Sequence, residues 1–323
     1  MKIQMAHGGG GAIMAELIDS VFKARFDNPL LRAGGDAAVL DLQGPTAFTT
    51  DSFVVQPLFF PGGDIGELAV CGTVNDILTA GAIPQYLSAA FVLEEGLEID
   101  TLTRVVDSMV RAARQAGVAI VTGDTKVVQG QGGLIINTAG VGAVHPKHKP
   151  QPPQPGDAIL LSGTLGEHHA AILSARMGVE NDIRSDCAPL VAMVRALLDA
   201  GIAIRAMRDA TRGGLGTVLH ELAQQYSVAL ELGAELPVTL QVRGFCSILG
   251  LDPLYMGNEG KMVFLVAGAD ADRALNLLRA APYGKDAAII GSVAEGWGAS
   301  IATALGSRRA IRALAGEGLP RIC

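Results

Sequence analysis

Residues 49–82, TTDSFVVQPLFFPGGDIGELAVCGTVNDILTAGA, join an apolar strand to an apolar helix and place a carboxylate in each. The strand belongs to the segment PTAFTTDSFVV (45–55), and we expect it to be interrupted at Asp51. Residues 64–81 lack the alternation of a strand and predict a helix. Asp76 interrupts this nearly uncharged helix, where removing a carboxylate from water is costly unless it finds a partner. The stretch therefore predicts a strand–helix unit that carries functional side chains.

The rest of the chain continues this alternation of helices and strands. Amphipathic spacing with capping signals predicts helices, and short apolar or alternating runs predict strands. The predicted helices span 12–26, 64–81, 100–117, 166–177, 188–200, 214–226 and 270–281, and the predicted strands lie at 45–55, 118–123, 134–144, 157–163, up to 207, 261–266, 287–294 and 299–305. Because helices and strands alternate in both halves, we predict an α+β fold of two α/β domains.

The chain has 323 residues, which fits two domains better than one ordinary core. The segment HPKHKPQPPQPGD (145–157) is the clearest break in composition, because its prolines oppose both a helix and a central strand. A second change begins near Gly306, where arginines mix with glycine and proline. We therefore predict domains at 1–148 and 149–306 and a mobile tail at 307–323.

Composition excludes several classes of protein. The net charge of −7, the pI of about 5.4 and the 4% aromatic content argue against binding to nucleic acid or to an anionic membrane. No apolar run approaches the roughly 20 residues that span a bilayer, and the start MKIQMAHGGGG lacks the apolar region of a secretory signal. Cys71, Cys187, Cys246 and Cys323 have no paired spacing, which argues against a disulfide framework and a zinc site. We therefore expect a cytoplasmic protein.

Five aspartates lie at tight turns or within an apolar helix: Asp36, Asp51, Asp76, Asp124 and Asp209. Any one of them can be an ordinary turn or cap residue. Several carboxylates beside glycine-rich turns indicate a hard cation, because Mg²⁺ takes oxygen ligands and accompanies substrate phosphates. The set therefore favours a magnesium–nucleotide site.

The glycine-rich stretch HGGGG is a second candidate element, made of His7, Gly8, Gly9, Gly10 and Gly11. Glycine lets backbone N–H groups approach phosphate oxygens, and the imidazole is a further candidate phosphate contact. The stretch matches neither a Walker A loop nor a G-x-G-x-x-G fingerprint. A flexible segment without a ligand therefore remains an alternative.

Two further charges stand out. Lys126 follows Asp124 by two residues, so both side chains share a face of an extended segment. Glu259 lies in the sequence GNEG, just before a predicted strand. Each charge can belong to a solvated loop, or it can act at a site, the lysine facing a phosphate or oxyanion and the glutamate serving as a general base.

The sequence closes on GLPRIC (318–323), which ends at Cys323. A neighbouring carboxylate disfavours the thiolate, so an incidental cysteine on a poorly ordered terminus is one interpretation. The other interpretation is a functional thiol on a mobile arm that contains glycine and proline. Such an arm can visit several sites, and we expect Arg321 to offset the carboxylate.

Six stretches together resemble a known enzyme family. They are HGGGG (7–11), the stretch 49–82 quoted above, VTGDTKVV (121–128), RDATRGGLGTVLHELA (208–223), GNEGKMV (257–263) and LPRIC (319–323). Their combination resembles the hydrogenase maturation carbamoyl dehydratases, the HypE family of the aminoimidazole-ribonucleotide-synthetase-like ATP-binding superfamily. The resemblance implies two domains of that superfamily's type and a homodimer whose amino-terminal domains form a shared β-barrel. It also implies that ATP binds in the cleft between the domains.

The resemblance also implies roles for residues and partners. Cys323 would accept a carbamoyl group from a HypF-type carbamoyltransferase, ATP would drive its dehydration to an S-cyanide, and the cyanide would pass to iron on a HypC–HypD complex for the [NiFe]-hydrogenase centre. The implied metal and phosphate ligands are Asp36, Asp51, Asp76 and Asp124, the implied charged pair beside the cysteine is Lys126 and Glu259, and the implied cofactor contacts are His7, Gly8, Gly9, Gly10, Gly11, Asn75 and Asp209. Several superfamily members carry two successive aspartates where this chain reads GGDAA, so the number of Mg²⁺ ions stays open.

Three alternatives are retained. A selenophosphate synthetase would want a reactive cysteine or selenocysteine near the start, whereas the nearest cysteine here is Cys71 in an apolar helix. A thiamine-phosphate kinase gives no reason for Cys323. A non-catalytic scaffold would use the tail as a docking peptide, and it predicts that Cys323→Ala impairs only partner binding.

Overall fold

The computed structural model describes residues 1–33 and 37–314, so the predicted sites Asp36 and Cys323 lie outside the described residues. The amino-terminal half contains α1 (Ala12–Leu17), α2 (Ala24–Phe26), α3 (Pro29–Arg32), β1 (Thr46–Phe53), β2 (Phe59–Phe60), β3 (Gly63–Asp64), α4 (Ile65–Thr79), β4 (Ala82–Glu94), α5 (Ile99–Ala116), β5 (Ala119–Val128) and β6 (Leu134–Val144). A π-helical segment, Ile18–Lys23, joins α1 to α2, so the predicted helix at 12–26 is confirmed.

The carboxyl-terminal half follows an irregular connection at 145–157. Its elements are β7 (Ala158–Leu161), α6 (Glu167–Met177), α7 (Val191–Asp199), β8 (Ile204–Asp209), α8 (Gly214–Tyr226), β9 (Ala229–Leu232), α9 (Leu240–Leu249), β10 (Met262–Val266), α10 (Ala271–Ala280), β11 (Ala288–Ala294), β12 (Gly298–Ala302) and β13 (Arg308–Ile311). Nowhere in residues 1–33 and 37–314 does a helix have the length and apolar character that crossing a membrane requires.

The amino-terminal sheet has the strand order β1-β6-β4-β5. The β1/β6 and β6/β4 pairs are antiparallel, and the β4/β5 pair is parallel. Helix α4 packs on one face of this sheet and α5 packs on α4. Side chains of the other face include Phe48, Val128 and Ile135, which are 71%, 40% and 39% exposed in the described part of the chain. The sheet does not close into a barrel within these residues, and it leaves apolar surface on that face.

Helix α4 is the central element between the two halves. Its first turn is capped by Asp64, whose carboxylate accepts hydrogen bonds from the backbone N–H groups of Gly66 and Glu67. Twelve of its fifteen residues are buried, as its uniformly apolar sequence predicts. It contacts the amino-terminal sheet on one side and β8 and α7 on the other. Because one continuous apolar cluster includes residues of both halves, the cleft between them is shaped by the shared core.

The carboxyl-terminal sheet has the order β13-β12-β9-β11-β7-β10-β8. Its strand pairs are antiparallel except for β12 and β9. Helices α7 and α10 pack over one face, and α8 covers the other within a separate apolar cluster. Strand β8 is at the sheet edge next to α4, which places its last residue, Asp209, at the junction of the two halves.

The structure differs from the sequence prediction at several places, and α9 and β9 are among the elements that were not predicted. Strand β1 runs without interruption through Asp51, because Asp51 keeps its ladder position opposite Thr138. The central strand β4 was not predicted, and its Pro84 lies at an irregularity in the pairing with β6. Arg308–Ile311, which were predicted to belong to the mobile tail, form β13 beside β12. The rest of the predicted tail, from residue 315, lies outside the described residues.

Candidate active site

A cavity of about 370 Å³ opens between the two halves, which we call the carboxylate cleft. Strand β1 and helix α4 form its amino-terminal wall, and the loop from β8 to α8 and the turn before β10 form the other wall. Its lining residues are Thr50, Asp51, Ser52, Phe53, Val54, Leu68, Gly72, Asp76, Thr79, Arg208, Asp209, Thr211, Arg212 and Glu259. Four of the predicted site residues, three aspartates and one glutamate, therefore meet in one cavity.

The secondary structure positions each of these carboxylates. Asp51 lies opposite Thr138 in the ladder of β1 and β6, so their side chains lie on the same face of the sheet. This face is covered by α4, since the Thr138 hydroxyl donates to the Ala69 carbonyl at 3.0 Å. Asp76, on α4, accepts a hydrogen bond of 3.2 Å from the hydroxyl of Thr49. Asp209 is the last residue of β8. The side chains of β1, α4 and β8 are thus directed into the same cleft.

The carboxylates disfavour ionisation of one another. Burial raises the pKa of Asp76 to about 6, and the negative charge of Asp209 adds to this shift. Burial also raises the pKa of Asp209, and a hydrogen bond from the side chain of Thr211 partly opposes this increase. Burial raises the pKa of Glu259 well above its usual range, and the charge of Asp209 raises it further. The cleft therefore stabilises a bound cation or a proton.

Two arginines bring positive charge to the cleft. Arg212 lies 3.7 Å from a carboxylate oxygen of Asp51 and is 78% exposed on its side chain. Arg208 donates to Glu221 at 3.2 Å. Sequence reasoning did not select these arginines, although both stand in the quoted motif RDATRGG. Arginine side chains bind phosphate oxygens well. The two arginines of this motif were therefore the sequence signal that could have identified them as candidate phosphate contacts.

Asn75 connects the two halves. Its side chain is buried, and its amide donates to the carbonyls of Ala188 (3.0 Å) and Glu259 (3.2 Å). Its amide oxygen accepts from the backbone N–H of Leu190 at 2.9 Å. Both amide hydrogens are thus occupied by protein contacts, and only the amide oxygen keeps capacity for the predicted contact with a cofactor.

The glycine-rich stretch lies beside β5. A Cβ on Gly8 would lie 2.8 Å from the backbone nitrogen of Val127, so only glycine allows this approach. Gly10 and Gly11 have φ angles of +77° and +79°, which glycine adopts without strain. The ring nitrogen Nδ1 of His7 accepts a hydrogen bond from the backbone N–H of Gln4 at 3.0 Å. The glycine-rich stretch therefore packs against β5.

Lys126 and Asp124 lie on β5 next to this stretch. Their side chains form an ion pair of 2.9 Å, and both are more than half exposed. The hydrogen bond from Lys126 holds the pKa of Asp124 below its usual range. Asp124 also borders a second cavity of about 350 Å³, whose lining includes Phe22, Phe26 and other apolar side chains. We call the glycine-rich stretch, Asp124, Lys126 and this cavity the β5 region.

The predicted site residues thus form two groups within one chain. The carboxylate cleft opens at β1, and the β5 region lies at the opposite edge of the same sheet. Three strand spacings separate these edges, which corresponds to about 14 Å. One chain therefore does not bring Lys126 next to Glu259. Among the described residues, no group of three His, Cys, Asp or Glu side chains is arranged to hold a metal ion.

The three described cysteines are buried. Hydrogen bonding to Cys71, followed by burial, raises the pKa of Cys187 well above its usual range. Burial raises the pKa of Cys246 to about 11. These thiols are therefore poor nucleophiles under ordinary conditions.

Comparison with known proteins gives full-length matches. Residues 34–144 match the model of the AIR synthase related protein amino-terminal domain, and residues 154–303 match that of the carboxyl-terminal domain. The chain is similar to the carbamoyl dehydratase HypE of Escherichia coli (strain K12), with 49% identity that covers 100% of this chain and 99% of the relative.

Two solved structures are similar to the whole fold. One is the hydrogenase maturation protein HypE in complex with ATP, with a TM-score of 0.94, 48% identity and coverage of 99% of both chains. The other is a HypE–HypF complex, with a TM-score of 0.81, 44% identity and coverage of 92% of this chain and 99% of that chain.

Proposed function

The chain belongs to the carbamoyl dehydratase HypE family, and we propose that it dehydrates a carbamoyl group carried on the sulfur of Cys323 at the expense of ATP. The product is an S-cyanide, which supplies the cyanide ligand of a [NiFe]-hydrogenase centre. One observation supports this assignment most strongly: Glu259, a half-buried carboxylate with a raised pKa, lines a cleft between the two domains. While it is ionised, a carboxylate of raised pKa is a stronger base than an ordinary one.

The reaction needs a leaving group and a base. The bound nucleotide supplies the γ-phosphoryl group that makes the carbamoyl oxygen a leaving group. Glu259 accepts a proton from the carbamoyl nitrogen as the carbon–oxygen bond breaks and the nitrile forms. Arg208 and Arg212, together with Lys126, stabilise the phosphate charge that leaves with the oxygen. The balanced products are the S-cyanide, ADP, inorganic phosphate and protons.

The donor set of the carboxylate cleft fits Mg²⁺. Its side chains offer oxygen ligands, and a divalent cation would favour the ionised forms of Asp76 and Asp209, whose pKa values are raised mainly by burial. Mg²⁺ is commonly held by one or two carboxylates together with phosphate oxygens and water. Asp51 and Asp76 are therefore the described residues that would hold it in the cleft, with Asp124 as a candidate at the β5 region. The cation would neutralise charge on the phosphates.

The β5 region is the proposed site for the rest of the nucleotide. Its apolar cavity of about 350 Å³ suits a nucleobase. The glycine-rich stretch beside it offers backbone N–H groups to phosphates, and Lys126 offers a positive charge. Because Gln4 engages Nδ1 of His7, Nε2 is the ring nitrogen that would face a phosphate.

A homodimer would complete the site. Phe48, Val128 and Ile135 give the free face of the amino-terminal sheet an apolar surface, which a second copy would cover by forming a shared barrel. Because Lys126 lies on the same face as Phe48 and far from Glu259 of its own chain, a second copy is the simplest source of the lysine at each cleft. We therefore propose that each active site contains residues of both copies.

The proposed protein partners of this chain are those expected for its family. A HypE–HypF complex is known in this fold, so a HypF-type carbamoyltransferase is the proposed donor of the carbamoyl group. A HypC–HypD complex is the proposed acceptor of the cyanide. The three described cysteines form no disulfide. The proposed location is the cytoplasm, where thiols remain free.

Infrared spectroscopy tests the proposed reaction. The protein is incubated with a carbamoyl donor and with ATP and Mg²⁺, and the nitrile stretch of an S-cyanide is recorded. We expect the band to appear only with ATP and to be absent from Cys323→Ala. A band of equal intensity in Cys323→Ala would contradict the assignment, and impaired partner binding alone in that variant would favour a scaffold.

A further inference from the structure

A buried ion pair lies behind the active-site turn that carries Glu259. Asp186, in the connection between α6 and α7, and Lys261, at the start of β10, are joined at 2.9 Å, and their side chains are only 4% and 8% exposed. Neither residue lines the carboxylate cleft. Removing two charges from water offsets most of their attraction, so a buried ion pair is a weak explanation for stability by itself.

The contacts of Asp186 surround the backbone of Glu259. One carboxylate oxygen of Asp186 accepts from the Glu259 N–H at 3.1 Å, and the other accepts from the Lys261 ammonium at 2.9 Å. A single side chain thus holds the residue before Gly260 and the residue after it. A Cβ on Gly260 would lie 1.9 Å from the backbone oxygen of Asp186, so this close approach requires glycine.

The carbonyl side of Glu259 is held by Asn75 of α4, which also contacts the segment after Asp186. Asn75 donates to the Glu259 carbonyl at 3.2 Å and to the Ala188 carbonyl at 3.0 Å. Residue 188 lies only two positions after Asp186. The N–H of Glu259 is therefore tied directly to Asp186, and its carbonyl is tied through Asn75 to the segment 188–190. Its carboxyl group is left to face the cleft.

We propose that Asp186 is a positioning residue for the dehydration, which aims the Glu259 carboxylate at the substrate with the help of Lys261. The proposal rests on the proposed role of Glu259 as proton acceptor. The carboxylate of Asp186 orients the N–H of Glu259, and the ammonium of Lys261 keeps that carboxylate ionised and fixed. Burial opposes ionisation of Asp186, but the charge of Lys261 holds its pKa below the usual range.

A double-mutant cycle tests this role. Asp186→Asn keeps the shape of the side chain and removes its charge. At saturating ATP, we expect the rate of S-cyanide formation to fall about 10- to 100-fold, because small displacements of a reacting group have effects of this size. The KM for ATP should stay within about twofold, since Asp186 does not line the cleft. In the Glu259→Gln background, Asp186→Asn should change the residual rate by less than about twofold.

A matched control is a second, largely buried ion pair, Arg205 with Asp157, whose side chains are 14% and 3% exposed. Asp157→Asn removes a buried charge away from Glu259, and it should leave the rate at saturating ATP within about twofold of the parent. If Asp186→Asn does not fold, Lys261→Met replaces it in the same cycle. Equal losses of rate in the parent and in Glu259→Gln would overturn the positioning role.

Amide hydrogen exchange gives a readout that does not depend on activity. The peptide containing residues 257–261 should exchange faster in Asp186→Asn than in the parent, because the Glu259 N–H loses its charged acceptor. Unchanged exchange would contradict the role of Asp186. A parent protein that forms no S-cyanide would contradict the proposed function instead, while the exchange result still decides whether Asp186 holds the turn.

Discussion

At the scale of residues, the main feature is the concentration of partly buried carboxylates in one cleft. Asp76 and Glu259 have raised pKa values because burial and neighbouring negative charges both oppose ionisation. This arrangement costs stability in the unliganded protein and favours positive charge when the site is filled. The side chains that weaken the fold are therefore the same ones that we propose to bind the cation and to accept a proton.

Asp76 makes stability depend on pH. Its pKa in the folded protein is about 6 against an ordinary 3.8, so the folded state retains a proton that the unfolded chain has already released. The free energy of unfolding should therefore fall as the pH rises through this window. The loss should be about 1 to 2 kcal/mol after allowance for solvent screening in the open cleft. Urea unfolding without nucleotide or Mg²⁺, measured at several pH values, checks this.

Asp76→Asn should remove that part of the pH dependence and should be more stable than the parent above pH 7. Glu295→Gln, at an exposed position between β11 and β12, is the control and should follow the parent. If the free energies of unfolding of Asp76→Asn and the parent depend on pH in the same way, the pKa of Asp76 is not raised in the folded protein.

Glu259→Gln tests the proton acceptor. The amide keeps the size of the side chain but cannot accept the proton, so the rate of S-cyanide formation should fall about 10²- to 10⁴-fold. ATP affinity, measured by calorimetry, should change by less than about tenfold, since the substitution leaves the other cleft residues in place. A rate within threefold of the parent would assign the proton transfer to another group.

At the scale of elements, α4 connects the sequence to the site. Gly66 and Gly72 let it pack closely, because a Cβ at Gly66 would lie 2.3 Å from the Val105 carbonyl and one at Gly72 would lie 2.8 Å from the ring of Phe53. This packing seats the helix against β1 and places Asp76 in the cleft. The position of the carboxylates therefore depends on tight helix contacts.

Gly66→Ala should lower the free energy of unfolding by about 1 to 3 kcal/mol, because the added methyl group meets backbone that cannot move away easily. The control is Gly244→Ala in α9, where a Cβ meets nothing within 4 Å and φ is not positive. It should raise stability by about 0.5 to 1 kcal/mol through helix propensity. Denaturant unfolding of both variants measures the difference, and equal effects would contradict the packing of α4.

The elements that the sequence predicted are those with a clear local pattern. The helix at 64–81 corresponds to α4, and the strand at 134–144 corresponds to β6. Strand β4 was missed because Pro84 argues against a central strand, and only the register shift beside it makes the proline acceptable. Strand β9 has only four residues, and its place between β12 and β11 is a long-range contact that no local pattern reveals.

The candidate site was predictable only in part. Motif spacing selected Asp51, Asp76, Asp209 and Glu259, and the structure brings these into one cleft. The hydrogen-bonding role of Asn75 depends on backbone groups more than 100 residues away along the chain, which sequence reasoning cannot pair. The separation of Lys126 from Glu259 likewise depends on strand order, which local patterns do not specify.

At the scale of the whole molecule, the two groups of site residues lie at opposite edges of one sheet. The carboxylate cleft holds Glu259, and the β5 region holds Lys126. Two copies that share a barrel can offer each cleft the lysine of the other copy. Dimer formation would then be a requirement for activity rather than an aid to stability.

Mixing two inactive variants tests this sharing. Lys126→Ala and Glu259→Gln should each be inactive as homodimers. If sites are shared between copies, mixed dimers contain one intact site, and an equimolar mixture after subunit exchange should recover about one quarter of the parent rate. No recovery, with subunit exchange verified by mass spectrometry, would show that both residues must belong to the same copy.

The intact mass of the peptide that contains Cys323 tests the central claim most directly. After carbamoylation of the protein by its donor, ATP and Mg²⁺ are added and the peptide is followed over time. The account predicts that its mass falls by one water molecule, only when ATP is present and far more slowly in Glu259→Gln. A carbamoylated peptide whose mass stays unchanged with ATP, in a protein that binds the nucleotide, would contradict it.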